Sequence, residues 1–371
     1  MTHVAEAVLD ARWLRTGIGR YILTLLHDLK QKIPNVRLTC ITMPEHVGTV
    51  APLCDRVIPL SCGIYTVTEQ LLLPIIRRGA SVFCSPHYNI PVFRQGRLIV
   101  TVHDMTHLLF PDYRRRISSR IYAEPMLHVA CKRASHVVTP SDYTRRMLIE
   151  MFGIDAKNIS TVPCAVDNIF QPHDKSKATA AVQLEHGVRE PYMLYVGTAA
   201  PHKNVVGLLE AHHRLRSRNR DIPALVLVMP DGPRSAHIDE YLRFLMTRSG
   251  IYRLTAVSDS SLTFLYSAAC MTILPSFEEG FGLPVLESMA CGTPVVCSNT
   301  GSLPEVAGKA AMYFSPQSIE DISSTIESLL DSTETQQDLA AAGLERAATY
   351  SAGRAAAGYA AVLASVIAQQ A

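Results

Sequence analysis

Residues 276–305 read SFEEGFGLPVLESMACGTPVVCSNTGSLPE, and this stretch decides the fold. Two carboxylates, Glu279 and Glu287, bracket a glycine-rich turn made of Gly280, Phe281 and Gly282. Pro284 suits the first turn of a helix, where its missing N–H would have had no partner in any case. Leu283–Ala290 is then a short apolar helix closed by Gly292, and Pro294–Ser298 is a buried strand. A glycine loop running into a helix start offers main-chain donors and the positive end of a dipole to an anion. Gly282 and Leu283 would supply those donors. Two acids beside a phosphate repel it, so Glu279 and Glu287 are read as ligands for hydroxyls, such as those of a sugar and a ribose.

Working outward, apolar runs alternate with amphipathic segments from end to end. Val4–Leu9, Arg37–Ile41, Ser81–Cys84, Leu98–Val102 and His136–Thr139 read as strands. Gly19–Lys30, Tyr65–Arg77, Arg114–Arg133 and Thr144–Phe152 read as the helices between them. Residues 162–174 (VPCAVDNIFQPHD) lack periodicity and read as a linker. The alternation then restarts with strands at Tyr192–Val196, Ala224–Val228, Met271–Leu274 and Pro294–Cys297. Its helices are Val205–Arg216, His237–Thr247, Ser260–Ala269, Leu283–Ala290 and Ile319–Leu330. The pattern is α/β, two doubly wound parallel sheets in succession. The length of 371 residues also suits two cores. The expected division is 1–168, 169–350 and an apolar tail helix, 351–371, that must dock on a domain.

Three further strings could carry chemistry. YVGTAAPHKN (195–204) ends a strand at Gly197 and leaves Lys203 at the next helix start, where it could meet a diphosphate. An ordinary solvent-facing lysine is the plainer alternative. His103 and Asp104 follow the strand Leu98–Val102, at the carboxyl end where ligands of such sheets lie. A packed histidine followed by a capping aspartate would look the same. Gly17-Ile18-Gly19 precedes a helix but lacks the third glycine of a dinucleotide fingerprint. It suits close approach of a substrate. The single tryptophan, Trp13, lies beside it and could stack on a sugar or anchor the loop. His212 and His213 read as solvated helix positions.

Bulk properties narrow the class. Hydrophobic residues make up 48% and charged ones 18%, a globular balance. No apolar run approaches ~20 residues and the N-terminus lacks a cleavable signal pattern. Nine scattered cysteines without a C-x-x-C pair suit a reducing, cytoplasmic compartment. Residues 1–165 hold 20 Lys/Arg against 12 Asp/Glu, the rest 15 against 21. A basic first half, with Arg114–Arg116, Arg120, Lys132-Arg133 and Arg145-Arg146, suits an anionic partner. Membrane headgroups or a lipid pyrophosphate rank first; nucleic acid ranks last, since no motif that reads it is present. No metal motif or acyl-transfer triad appears, so no metal and no cofactor are expected.

Taken in order, these strings resemble glycosyltransferase family 4, retaining enzymes of the GT-B fold. The likeness runs through GIGRY (17–21), the strand-HD segment (101–111), TPSDYTRR (139–146), PCAVDNIFQP (163–172), YVGTAAPHKN and the acid-x7-acid string at 279–287. It is closest to bacterial mannosyltransferases of O-antigen, capsule and exopolysaccharide synthesis. The resemblance implies two Rossmann-like domains across a cleft, with the tail helix returning to the first. It implies that Glu279 meets the donor sugar and Glu287 the ribose. Main-chain groups of Gly280, Phe281, Gly282 and Leu283 would hold sugar and diphosphate, with Thr198, Lys203 and Asn204 completing the donor site. His103, with Asp104, would face the anomeric centre, and Gly17, Ile18 and Gly19 would form the acceptor and diphosphate loop. GDP-mannose is the implied donor, with UDP-glucose, a UDP-N-acetylhexosamine or dTDP-rhamnose as alternatives. A glycan or polyprenyl-diphosphate-linked oligosaccharide is the implied acceptor, at the cytoplasmic face of the inner membrane. A sugar-nucleotide-binding protein without catalysis is the rival outside enzymes. Three positions depart from the family pattern: Thr198 and His202 stand where arginine is common, and Ala165 replaces a linker glycine.

Overall fold

The computed structural model describes residues 4–15, 17–92, 96–110, 122–189, 191–218, 221–230 and 250–369. The chain divides into two compact units, Met1–Ala165 with Tyr350–Ala371, and Val166–Thr349.

The first unit is built on β1 (Ala5–Asp10), α1 (Gly19–Lys32), β2 (Val36–Thr42), β3 (Arg56–Pro59), α2 (Val67–Ile76), β4 (Val82–Ser85), β5 (Arg97–Thr101), α3 (Glu124–Arg133), β6 (His136–Thr139), α4 (Asp142–Phe152) and β7 (Ile159–Thr161). Its strands form one parallel sheet in the order β3-β2-β1-β4-β5-β6-β7. In β4 and β6 every residue is buried, as a strand covered on both faces requires. α1 turns Tyr21, Ile22, Leu25, Leu26 and Leu29 inward, the i, i+4 spacing of one helix face. Ser141 caps α4 by accepting from the Thr144 N–H, and Gly153 ends it in the left-handed region.

The second unit comprises α5 (Lys175–His186), β8 (Tyr192–Val196), α6 (Val205–Arg218), β9 (Ala224–Val228), β10 (Ile251–Leu254), α7 (Asp259–Ala268), β11 (Met271–Leu274), α8 (Leu283–Ala290), β12 (Val295–Ser298), α9 (Leu303–Ala307), β13 (Ala311–Phe314), α10 (Ile319–Leu330) and α11 (Thr333–Ala348). Its sheet is also parallel, in the order β10-β9-β8-β11-β12-β13. In both sheets the strand order reverses beside the first strand of the unit, the crevice where such folds bind ligands.

The tail forms α12 (Ala352–Ala368), which belongs to the first unit and packs along α1 and against β4 and β5. Tyr359, Leu363 and Val366 are buried there, and Arg97 donates to the Ile367 carbonyl at 2.9 Å. By length and hydropathy Thr333–Ala368 would suit a membrane span, but it breaks into α11 and α12, and the apolar face of α12 is already covered.

Several expectations change. Tyr65 lies outside α2, at φ 64, instead of opening the helix. The strands β3, β7, β10 and β13 and the helices α5, α9 and α11 add to those read from the sequence. His212 is no solvated residue: it is 1% exposed, and its Nε2 bonds the Pro223 carbonyl at 3.0 Å. Pro111, Arg114–Arg116, Arg120 and the helix expected at His237–Thr247 lie outside the described residues.

Candidate functional site

In the second unit, two loops at the carboxyl ends of β8 and β11 meet. The β8 loop makes a single 3-10 turn, Pro201–Lys203, and Asn204 follows at φ 51. The Asn204 side chain donates to the Pro316 carbonyl at 2.8 Å, which fixes the start of α6. The Phe277 N–H donates to the His202 carbonyl at 2.7 Å and ties the β8 loop to the β11 loop.

That tie brings Lys203 onto Glu279. The Lys203 Nζ lies 2.6 Å from Glu279 Oε1, and the Ser276 hydroxyl donates to the same oxygen at 2.7 Å. Glu279 is held from behind as well. Its carbonyl accepts from the N–H and the hydroxyl of Ser302, at 3.1 and 3.0 Å. The Ser302 hydroxyl also donates to the Phe281 carbonyl at 2.9 Å. Gly301, at φ 62, backs directly onto this segment: a Cβ there would come within 2.9 Å of both the N and the O of Glu279. Only glycine combines that backbone with that approach. Gly282, at φ 101, then opens α8, with Leu283 as its first residue and Pro284 in the first turn. The glycine turn expected from the sequence therefore leads directly into a helix start, beside the buried Glu279.

The two acids are in different surroundings. Glu279 is 9% exposed beside an ammonium. Glu287 is 2% exposed on the inner face of α8, where the Tyr266 hydroxyl donates to its Oε2 at 2.8 Å. Thr198 is exposed, and its carbonyl accepts from the Tyr195 hydroxyl at 2.9 Å. Burial, aided by the Glu279 charge, pushes the Tyr195 phenol well up, so it stays a donor. Sequence reasoning missed Ser276, Gly301, Ser302 and Tyr266. GSLPEV lay in view, but nothing in its spelling says that Gly301 and Ser302 support Glu279.

The first unit gathers the other candidates on one sheet edge. Gly17 is exposed, Ile18 caps α1, and Gly19 opens it against the Leu14 carbonyl, where a side chain would not fit. His103 follows β5; its Nε2 bonds the Pro86 carbonyl at 2.9 Å, and its ring meets Tyr21 edge-on at 4.7 Å. Burial holds the His103 imidazole below its usual range against the opposing Asp104 charge. Asp104 Oδ1 accepts from the Thr106 N–H at 2.9 Å, just before a single helical turn. Burial raises its carboxyl, but that hydrogen bond and the nearby His107 outweigh it and hold the group below the usual range. Trp13 is 3% exposed and stacked on His87 at 4.1 Å, so it anchors its loop. Among the described residues no three His, Cys, Asp or Glu side chains gather as a metal site would need.

Solved structures share this architecture. Sucrose-phosphate synthase from Thermosynechococcus elongatus superposes with a TM-score of 0.79 at 20% identity, over 98% of this chain and 100% of that one. Anabaena HepE in complex with UDP and glucose gives 0.77 at 16% identity, over 98% and 100%. Two Rossmann-like parallel-sheet units with a tail helix on the first therefore form the GT-B fold.

The sequence takes the assignment further. Residues 16–168 match the model "Glycosyltransferase Family 4", and residues 176–346 match "Glycosyl transferases group 1". The chain is 35% identical to the O-antigen chain mannosyltransferase B of Escherichia coli, over 91% of this chain and 92% of that protein. It is 26% identical to the O-antigen chain mannosyltransferase RfbU of Salmonella typhimurium, over 78% and 76%. The chain belongs to glycosyltransferase family 4 and is a glycosyltransferase.

Proposed function

We propose that the enzyme transfers a mannosyl residue from GDP-mannose to a glycan or lipid-linked oligosaccharide acceptor in bacterial surface polysaccharide synthesis, with retention at the anomeric carbon. The observation that carries the donor half of this reading is the Lys203–Glu279 pair at the start of α8. The choice of mannose follows the two O-antigen mannosyltransferases to which the chain is similar.

In the ligand-free protein Lys203 and Glu279 satisfy each other. A diphosphate entering over the start of α8 offers the ammonium a stronger anion, and releases Glu279 to accept from sugar hydroxyls. As the glycosidic bond breaks, negative charge grows on the leaving diphosphate oxygen. Lys203 and the α8 dipole stabilise that charge without having to reorganise. The acceptor hydroxyl attacks from the leaving-group face and passes its proton to the departing phosphate oxygen. Glu287, seated on Tyr266, is assigned to the ribose, and Thr198 and Asn204 to the edge of the diphosphate site. His103 and the Gly17–Gly19 loop are assigned to the acceptor half, in the first unit. No metal is given a role.

The enzyme is assigned to the cytoplasm, as a peripheral protein on an anionic membrane surface. Two features support that contact: the positive balance of the first unit, and the exposed stripe of Val67, Leu71 and Ile75 on α2.

A thermal-shift and calorimetric comparison of GDP-mannose, UDP-glucose, UDP-N-acetylglucosamine and dTDP-rhamnose tests the donor. GDP-mannose should bind most tightly. Preference for a UDP sugar would overturn the choice of base, and binding without turnover would favour a non-catalytic sugar-nucleotide-binding protein.

A further inference from the structure

The loops following β1, β3, β4 and β5 carry a group of rings that the donor chemistry does not use. Trp13 stacks on His87 at 4.1 Å, and His87 packs at a tilt against Tyr88 at 4.0 Å. Tyr65 stands edge-on to Trp13 at 5.5 Å and to Tyr122 at 5.6 Å. Trp13 is buried, but Tyr65 is 51% and Tyr122 37% exposed. All of these loops leave strands of one parallel sheet at the carboxyl end, the edge that also carries His103.

Beneath the exposed pair lies a buried ionic web. The Arg12 guanidinium donates to both oxygens of Asp10, at 2.8 and 2.7 Å, and to Glu69 Oε1 at 2.5 Å. Glu69 Oε2 accepts from the Tyr65 N–H and from the Asn89 side-chain amide, each at 2.9 Å. The Asn89 side-chain oxygen in turn accepts from the Tyr122 hydroxyl at 2.6 Å. One buried carboxylate oxygen thus fixes the Tyr65 backbone at φ 64 and, through Asn89, the Tyr122 hydroxyl. A bulky residue at positive φ is strained, and buried ion pairs contribute little net stability. Strain plus a desolvated web is a poor way to stabilise a fold but an effective way to hold two exposed rings still. Arg12 is committed to two carboxylates, so the described residues of this group offer ring faces and hydroxyls. His87 agrees: burial and the neighbouring His103 hold it down to about 3, so it is neutral in the working range, with Nδ1 accepting from the Asn89 N–H at 3.0 Å.

A surface of rigid aromatic faces with interspersed hydroxyls matches a pyranose, which has an apolar C–H face and a hydroxyl rim. The geometry points to the Tyr65–Tyr122 surface as the subsite that holds a neutral pyranose ring of the acceptor glycan. This rests on the glycosyl-transfer reading above and extends it to the acceptor.

The test uses the full chain without donor. Trp13 is the only tryptophan, so its emission reports on this cluster alone. Titration with α-linked mannobiose should give a saturable change in Trp13 emission. Tyr65→Ala should weaken the midpoint roughly tenfold, the cost of losing an aromatic anchor. Tyr65→Phe should stay close to wild type, while calorimetric GDP affinity, which reads the second unit, holds in both variants and shows they are folded. In turnover assays Tyr65→Ala should raise the acceptor KM far more than it lowers kcat. An acceptor KM and a Trp13 midpoint both unmoved by Tyr65→Ala would overturn the subsite, even with transfer intact. A Tyr65-dependent Trp13 response to mannobiose without turnover of GDP-mannose would instead retain the subsite and defeat the donor reading.

Discussion

Replacing Lys203 separates the two jobs assigned to the donor loop. The ammonium is 2.6 Å from Glu279, with side-chain exposures of 22% and 11%. After solvent screening such a pair contributes at most ~1 kcal/mol to stability, so Lys203→Ala should fold. Its effect on binding should be larger. A charge-assisted hydrogen bond to a diphosphate contributes about 1.5–3 kcal/mol, and part of it replaces the bond Lys203 already makes to Glu279. The net loss is about 2 kcal/mol, or roughly thirtyfold in Kd. It should appear for GDP and GDP-mannose alike, because both carry the diphosphate. Glu279→Gln should behave differently. It removes an anion beside the phosphate while keeping a side chain that reaches Ser276, so GDP affinity should hold or rise. GDP-mannose, which loses a carboxylate facing its hydroxyls, should bind about tenfold more weakly. Calorimetric titration of both ligands into both variants makes the comparison. Lys203→Ala binding GDP like wild type would refute the reasoning, as would Glu279→Gln weakening GDP as much as GDP-mannose.

Three further outcomes follow from particular contacts. Gly301→Ala should lower the denaturation free energy by about 1–2 kcal/mol, from the φ of 62 and the crowding of Glu279, and should weaken donor binding; a neutral result in both would show that Gly301 does not support Glu279. Burial, with a smaller push from the Arg216 charge, lowers His212 to about 4 against a hydrogen bond to Pro223. The unfolded chain takes up that proton first, so the stability from neutral His212 is complete above its unfolded pKa of about 6.5 and is lost as pH falls toward about 4, with a loss of roughly 2 kcal/mol by pH 5. Urea denaturation of wild type and His212→Gln at pH 7 and pH 5 measures it, and equal pH slopes would contradict it. Leu71→Glu with Ile75→Glu should abolish co-sedimentation with phosphatidylglycerol vesicles; binding that persists would remove α2 from the membrane contact, and self-association abolished by the same changes would make the stripe an interface between copies.

The fold was legible where the chain is buried on both faces. VFCS in β4, HVVT in β6 and MTIL in β11 have every residue covered, and their apolar runs stand out. The strands missed are short ones at or beside a sheet edge. RVIP in β3 has no buried residue, IST in β7 has one, and IYRL in β10 has one, so no apolar run marks them. α5 (KSKATAAVQLEH) buries only Ala178 and Val182, too little for a visible periodicity. In the site, the glycine turn and Pro284 were readable because each carries a local backbone signal, whereas Lys203 read equally as an ordinary surface lysine. The pairing of Lys203 with Glu279 was not, since 76 residues separate them and the tie runs through the Phe277 N–H and the His202 carbonyl. The solvated reading of His212 failed because the residue lies among charged neighbours in sequence, while its own face of α6 turns inward.

The central claim is retaining mannosyl transfer from GDP-mannose. Proton NMR of the reaction of full-length enzyme, GDP-mannose and a mannose-terminated acceptor tests it most directly. GDP should be released in step with a new α-linked mannosyl signal, and Lys203→Ala should give both more slowly. A β-linked product, or GDP release with free mannose and no new linkage, would contradict it.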